Sequence, residues 1–258
     1  HCPFFLLGHL ALFRFLNDNS CYRRCNFHSS ILLDIMRMNI RAGRNRTLTL
    51  SSQEQARYRS RLLRIQSAVS LEEIIDKTIQ ANMSKILPFL PPSFADLLFL
   101  DPPYNIPKQF HNHFFQKKSM HGYVDWVDEW MTPLIRLLKP DATVFICCDW
   151  QCSPAIHEVA RRHFKIRNRI TWEREKGRGA SNNWKNSMED IWFCTRSNQY
   201  TFNVNAVKLK RRVLAPYTQR NGDPKDWEKS EEGNYRLTHP SNLWTDITVP
   251  FWSMPENT

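Results

Sequence analysis

The chain of 258 residues is long enough for one large α/β domain or two small ones, and 41% hydrophobic with 12% aromatic residues is enough for a core, which argues against global disorder. Its net charge of +11 favours a polyanionic partner; residues 161–220 hold 15 Lys/Arg against 4 Asp/Glu, which accounts for the whole excess. The seven cysteines are odd in number and lack a repeated Cys-x-x-Cys spacing, so they fit reduced thiols rather than a disulfide framework or a zinc site.

The chain opens with PFFLLGHLALFRFL at residues 3–16, which contains His9 and Arg14. This is shorter than the roughly 20 apolar residues of a membrane span, and no basic segment precedes it as in a signal peptide. Met36 and Met38 stand before what reads as an ordinary protein start, so residues 1–35 are expected to be a fragment edge or upstream translation. Residues 1–44 are treated as an N-terminal extension, with a basic arm at 39–50.

Ser51 and Glu54 form a capping-box pattern that predicts a helix over SSQEQARYRSRLLRI. A second helix is expected at Leu71–Lys77, a short strand and turn at 78–83, and a short helix over MSKILPFL closed by Pro91-Pro92. The continuous apolar run ADLLFL, 95–100, predicts a strand buried on both faces. Helical spacing of Val124, Val127, Trp130, Met131, Leu134 and Leu138 predicts a helix over 122–140, stopped by Pro140. A strand over 142–150 follows, then a helix over 153–164 with Ser153 as its N-cap and Pro154 in its first turn. KIRNRITWERE and EDIWFCTRS read as strands, and the chain beyond them is polar and turn-rich. Strands alternating with helices imply a parallel sheet, with ligands beyond the carboxyl ends of its strands. Asp101 and Asp149 both fall at such ends.

Asp101 begins the tetrad Asp101-Pro102-Pro103-Tyr104. Proline fixes φ and has no N–H, so the pair holds carbonyls rigidly and offers only acceptors. An ionised Asp101 also only accepts, and Tyr104 offers a stacking face. Such a clamp suits a planar ring with an exocyclic amine: adenine N6 or cytosine N4. Hydrogen bonds accepted from both N–H groups localise the nitrogen lone pair, which can then attack an electrophilic methyl group. The target atom is unreachable in a stacked duplex, so the base must be flipped out.

The tetrad after a buried strand resembles the catalytic motif of the DNA amino-methyltransferases that modify adenine N6 or cytosine N4. RNRITWEREKGRGASNNWKNSMEDIWFCTRSNQYTFN (167–203), VLAPYTQRNGDPKDW and NLWTDITVPFWSMPENT extend the likeness over about residues 45–258. The order resembles the β-type members, in which the catalytic region comes first, then target recognition, then the cofactor region. The resemblance implies a Rossmann-like α/β sheet that uses S-adenosylmethionine, with an inserted basic recognition region. It implies a catalytic region at 45–166, target recognition at 167–240, and a return to the catalytic domain at 241–258. Asp is more typical of adenine-N6 members, so adenine in double-stranded DNA is the expected target, with cytosine-N4 as the alternative. A third reading is an inactive DNA-binding fragment.

In that arrangement a Phe-x-Gly-x-Gly cofactor loop would follow the last segment. None of the seven glycines lies in such a loop, so the sheet is expected to be incomplete here. The residues expected at the chemistry are Asp101, Pro102, Pro103 and Tyr104, with Asp101, Asn82 and Asp149 toward the cofactor. Asn82 stands where the family carries a Gly-Asp-like pair, here Ala81-Asn82; Asp149 is equally suited to capping. Asn105 and the loop 106–121 are expected to cap DNA or cofactor, and no metal is needed despite His111, His113 and His121. The basic loop with Lys176, Arg178, Asn182, Asn183, Trp184 and Lys185 is expected to contact DNA; Arg and Asn can read base edges. The other Trp residues, such as Trp126, Trp130, Trp244 and Trp252, suit a core better than a stacking role. A cognate restriction endonuclease and a homodimer are compatible partners, a membrane is not, and the location implied is the cytoplasm at the nucleoid.

Overall fold

The computed structural model describes residues 11–13, 50–110, 113–174, 181–214, 217–245 and 247. Strands β1 (Ala11–Phe13), β2 (Ala95–Leu100), β5 (Leu138–Cys148), β6 (Lys165–Glu173), β7 (Met188–Thr195) and β11 (Leu243–Trp244) form one six-stranded sheet in the order β1-β2-β5-β7-β6-β11. The expected α/β architecture is present, but the sheet is mixed rather than wholly parallel. β2 pairs with β5 in parallel, whereas β7 runs antiparallel to both β5 and β6. The physical reason is the connection: a helix carries the chain from β2 to β5 and from β5 to β6, but no helix lies among the described residues between β6 and β7, where the chain reverses.

The elements before β2 follow their local signals. Helix α1 (Ser52–Arg59) opens with the full capping box, Glu54 N–H donating to the Ser51 hydroxyl and Ser51 N–H to the Glu54 carboxylate. It buries no residue and ends well before the expected Ile65. Helix α2 (Leu71–Ile74) is also shorter than expected, since Asp76 adopts φ of 56°. The expected strand at 78–83 is reduced to one bridge between Leu63 and Ile79. Helix α3 (Met83–Ile86) passes into a 3-10 turn over Leu87–Phe89.

Between β2 and β5 the helix α4 (Met120–Met131) is cut short by eight residues or more. Pro133 lacks the N–H an α-helix needs, so Thr132–Leu137 tighten into a 3-10 turn. Leu138 then starts β5, with Pro140 inside the strand rather than ending a helix. Helix α5 (Ser153–His163) packs against α4, and Asp128 ties the two together: its carboxylate meets His163 at 2.6 Å and Arg162 at 2.7 Å. Ser153 is the first helical residue rather than the cap; its hydroxyl accepts from Trp192 Nε1.

These two helices cover one face of the sheet. Leu98, Val144, Ile146, Tyr123, Val127, Ile156 and Val159 have no exposed surface there. Trp126 and Trp130 belong to this core, as expected. The other face carries Cys147, Ile170, Ile191 and Phe193, with Phe99, Tyr104, Phe145, Trp172 and Trp244 only partly buried around them. After β7 the polar region forms a second, three-stranded antiparallel sheet of β8 (Leu209–Arg212), β10 (Gly233–Thr238) and β9 (Glu228–Ser230), which no sequence signal had suggested. β11 then returns to the large sheet beside β6. No helix among the described residues is long and apolar enough to cross a membrane.

Candidate active site

The site lies at the carboxyl ends of β2, β5 and β6, where β7 begins. β2 stops at Leu100 because Pro102 and Pro103 cannot donate to a sheet ladder. The turn that follows is held from several sides. The hydroxyl of fully buried Tyr123, on α4, donates to the Pro103 carbonyl at 2.7 Å. That acceptor is therefore occupied, while nothing among the described residues donates to the Pro102 carbonyl. Pro102 is buried and Asp101 half-buried.

Asn105 completes the turn in the left-handed region, with φ of 54°. It is buried, and its side chain grips the backbone of Lys118 twice: Nδ2 donates to the Lys118 carbonyl at 3.1 Å, and Lys118 N–H donates to Oδ1 at 2.8 Å. This clasp closes the segment 106–117 at its base. The expected irregular cap contains a hairpin, β3 (Lys108–Phe110) with β4 (His113–Phe115), in which the Phe114 side chain is exposed and Phe115 packs edge-on against Trp126. His111 lies outside the described residues.

Tyr104 turns its ring toward β5 and β7. Its hydroxyl donates to Glu189 Oε2 at 3.4 Å, and Glu189 pairs with Arg174. Burial, and then the charges of Asp101 and Glu189, push the Tyr104 hydroxyl far above its usual range. It is a neutral donor and a flat face, not a base. Burial and the Asp101 charge likewise keep the Cys147 thiol protonated. Burial also raises Glu189, with Arg174 opposing the shift. The site thus presents fixed acceptors and a neutral aromatic plate, with no activated nucleophile among these groups. That arrangement suits direct attack by a bound amine on an electrophile, not covalent catalysis.

The remaining expected residues are placed as follows. Asp149 ends β5 and serves the start of α5, where its Oδ1 accepts from Cys152 N–H at 2.8 Å. It also contributes to the field around Tyr123. A cavity of about 240 Å³ lies beside it, lined by Tyr104, Asn105, Lys117, Met120, Gln151 and Cys152. Asn82 caps α3, and its Oδ1 accepts from the Ser84 hydroxyl at 2.7 Å. Asn182, Asn183, Trp184 and Lys185 are all exposed on the β6–β7 loop, Trp184 to 96%. Lys176, Arg178 and Trp252 lie outside the described residues.

Glu189 and Arg174 are parts of the site that sequence reasoning passed over. A signal was available: Glu189-Asp190 introduces charge at the head of an apolar run, and a buried acid in a central strand needs a partner.

A family model described as a DNA methylase, of the N6/N4 class, matches residues 95–251 and so spans both the tetrad and the β6–β7 region. The chain belongs to this DNA methylase family. It is 26% identical over 180 residues to the type II methyltransferase M.BamHI of Bacillus amyloliquefaciens, covering 67% of this chain and 40% of that protein. It is 28% identical over 178 residues to the DNA adenine methyltransferase YhdJ of Escherichia coli (strain K12), covering 66% of this chain and 56% of that protein. The methylase chain therefore spans about half the length of the curated relatives it matches. Among solved structures it is similar to the PvuII DNA methyltransferase (cytosine-N4-specific), with 15% identity and a TM-score of 0.42, over 67% of this chain and 56% of that one.

Proposed function

We infer that this methylase chain carries the catalytic turn of an enzyme that transfers a methyl group from S-adenosylmethionine to adenine N6 in double-stranded DNA. The observation that carries the reading is the state of the tetrad's acceptors. The Pro103 carbonyl is taken by Tyr123, which leaves the Asp101 carboxylate and the Pro102 carbonyl as the pair for the two amine hydrogens, beside a neutral Tyr104 ring. In this role Asp101 and Pro102 accept from the amine, and Tyr104 stacks on the flipped base. Fixed acceptors reorganise little as charge develops on the nitrogen. Asp at position 101 favours adenine over cytosine on the family pattern.

S-adenosylmethionine, when bound, supplies a methyl group on a cationic sulfonium. The residues present fit such a donor: the half-buried Asp101 carboxylate offers charge complementarity, and the small cavity offers Tyr104 as an aromatic wall with the Gln151 amide. Asn82 and Asp149 are assigned to the same side of the site. We place target recognition in the β6–β7 loop and the small sheet after β7, with Asn182, Asn183, Trp184 and Lys185, together with Lys176 and Arg178, at the DNA.

The test uses the full-length natural protein, S-adenosylmethionine and duplex DNA, followed by digestion to nucleosides. The expected product is N6-methyladenine; N4-methylcytosine would move the assignment to the other base. Asp101→Ala is expected to lower transfer on the order of a thousandfold, with DNA affinity nearly unchanged. Transfer within a few-fold of the natural protein would refute the mechanism.

A further inference from the structure

One buried carboxylate joins the turn after β2 to the neck of the β6–β7 loop. Glu189 is the second residue of β7 and is 9% exposed. Strand alternation puts it on the same face as Ile191 and Phe193, both buried and apolar. An aliphatic residue would continue that stripe without the cost of desolvating a charge. The acid is instead held by two specific partners: one oxygen accepts from the Tyr104 hydroxyl at 3.4 Å, and the other pairs with the Arg174 guanidinium. Arg174 is the residue after β6, and its backbone N–H donates to the Ser187 carbonyl at 2.7 Å, which closes the β6–β7 loop. Its side chain remains 52% exposed.

We propose that Arg174 and Glu189 are positioning residues that set the orientation of the Tyr104 ring and couple it to the β6–β7 loop. The proposal rests on the methyl-transfer reading, because it assigns Tyr104 to the flipped base. The neck of the loop, the buried acid and the aromatic plate form one connected series. A shift of Arg174 when the loop meets a DNA phosphate would reach Tyr104 through a single side chain. A hydroxyl held in this way fixes the far end of the ring, and so the direction in which its Cβ–Cζ axis points into the site.

The experiment is a double-mutant cycle in the full natural protein, with Tyr104→Phe, Glu189→Gln and the pair together. It reads the single-turnover methyl-transfer rate, the DNA Kd, and the fluorescence of 2-aminopurine at the target position. Glu189→Gln is expected to slow transfer on the order of tenfold, leave Kd within about twofold, and change the 2-aminopurine signal. The double variant is expected to be no slower than the slower single variant, because both act through one hydroxyl. Losses that multiply in the double variant, with an unchanged 2-aminopurine signal, would overturn the proposal. Should Glu189→Gln fold poorly, Arg174→Ala tests the same link from the exposed side. Its loss should be largely restored in Arg174→Lys, and equal loss in both would count against the link. Asp101→Ala in parallel separates the two readings. If it abolishes transfer while the cycle is additive, only the proposal fails; if the natural protein methylates no DNA amine, both fail together.

Discussion

The Asp101–Asn105 turn and the β6–β7 loop both stand at the carboxyl end of the sheet, yet they are built in opposite ways. The turn is short and over-determined: two prolines restrict it, Tyr123 takes one of its carbonyls, and Asn105 clasps Lys118. The described part of the loop is exposed throughout, from Ser181 to Ser187. Its neck is clasped by Arg174 N–H to Ser187 O and by the Arg174–Glu189 pair. The turn has the rigidity that transition-state chemistry needs, whereas the loop has the exposed polar and aromatic groups that a large polyanion needs. Damage to the first should therefore appear in stability and rate together, and damage to the exposed stretch Ser181–Ser187 of the second in binding alone.

Asp101→Ala is the largest expected effect on that comparison, since on the proposed mechanism it removes an acceptor of the reacting amine while touching no fold contact of the loop. Tyr123→Phe comes next. Tyr123 is fully buried, so loss of its hydroxyl leaves the half-buried Pro103 carbonyl without that partner. The expected cost is about 0.5–1.5 kcal/mol in denaturant unfolding, with a parallel fall in methyl transfer. If Tyr123→Phe kept full stability, the turn would not be held from α4 and the contrast would weaken.

Much of this frame was legible in the sequence because it depends on local signals. The six apolar residues of β2, the capping box at Ser51 and Glu54, and the tetrad's prolines act over a few residues, and each stands where expected. The misreadings have local and long-range causes. Leu134 and Leu138 kept helical spacing beyond Met131, but spacing does not register that Pro133 removes an N–H and starts a 3-10 turn. The antiparallel pairing of β7 and the small sheet β8-β10-β9 depend on partners distant in sequence. Glu189 was hidden for a similar reason: its partners Tyr104 and Arg174 are brought to it only by folding.

Trp184→Ala probes the other half of the comparison. At 96% exposure the ring packs against nothing whose loss would unfold the chain, so unfolding should shift by no more than about 0.5 kcal/mol. DNA affinity should fall by about 1 kcal/mol, roughly fivefold in Kd, if the ring stacks on or fills against bases. A stability loss with unchanged DNA binding would make the loop a structural element and reverse the contrast.

The smallest expected effect tests the neck of the loop by pH. Glu189 faces Asp101, Tyr104, Cys147 and Arg174, and burial raises its proton affinity in the fold above that of an ordinary glutamate. A raised folded value means the native state holds the proton more readily than the unfolded chain. Glu189 therefore contributes stability that is present below the ordinary glutamate range and lost as pH rises through the folded value. Gln at this position cannot ionise. The difference in Tm between Glu189→Gln and the natural protein should accordingly move in favour of the variant as buffer pH rises from acid to neutral. Movement the other way would mean that the Arg174 pair outweighs desolvation, making Glu189 a net stabiliser of the fold at neutral pH.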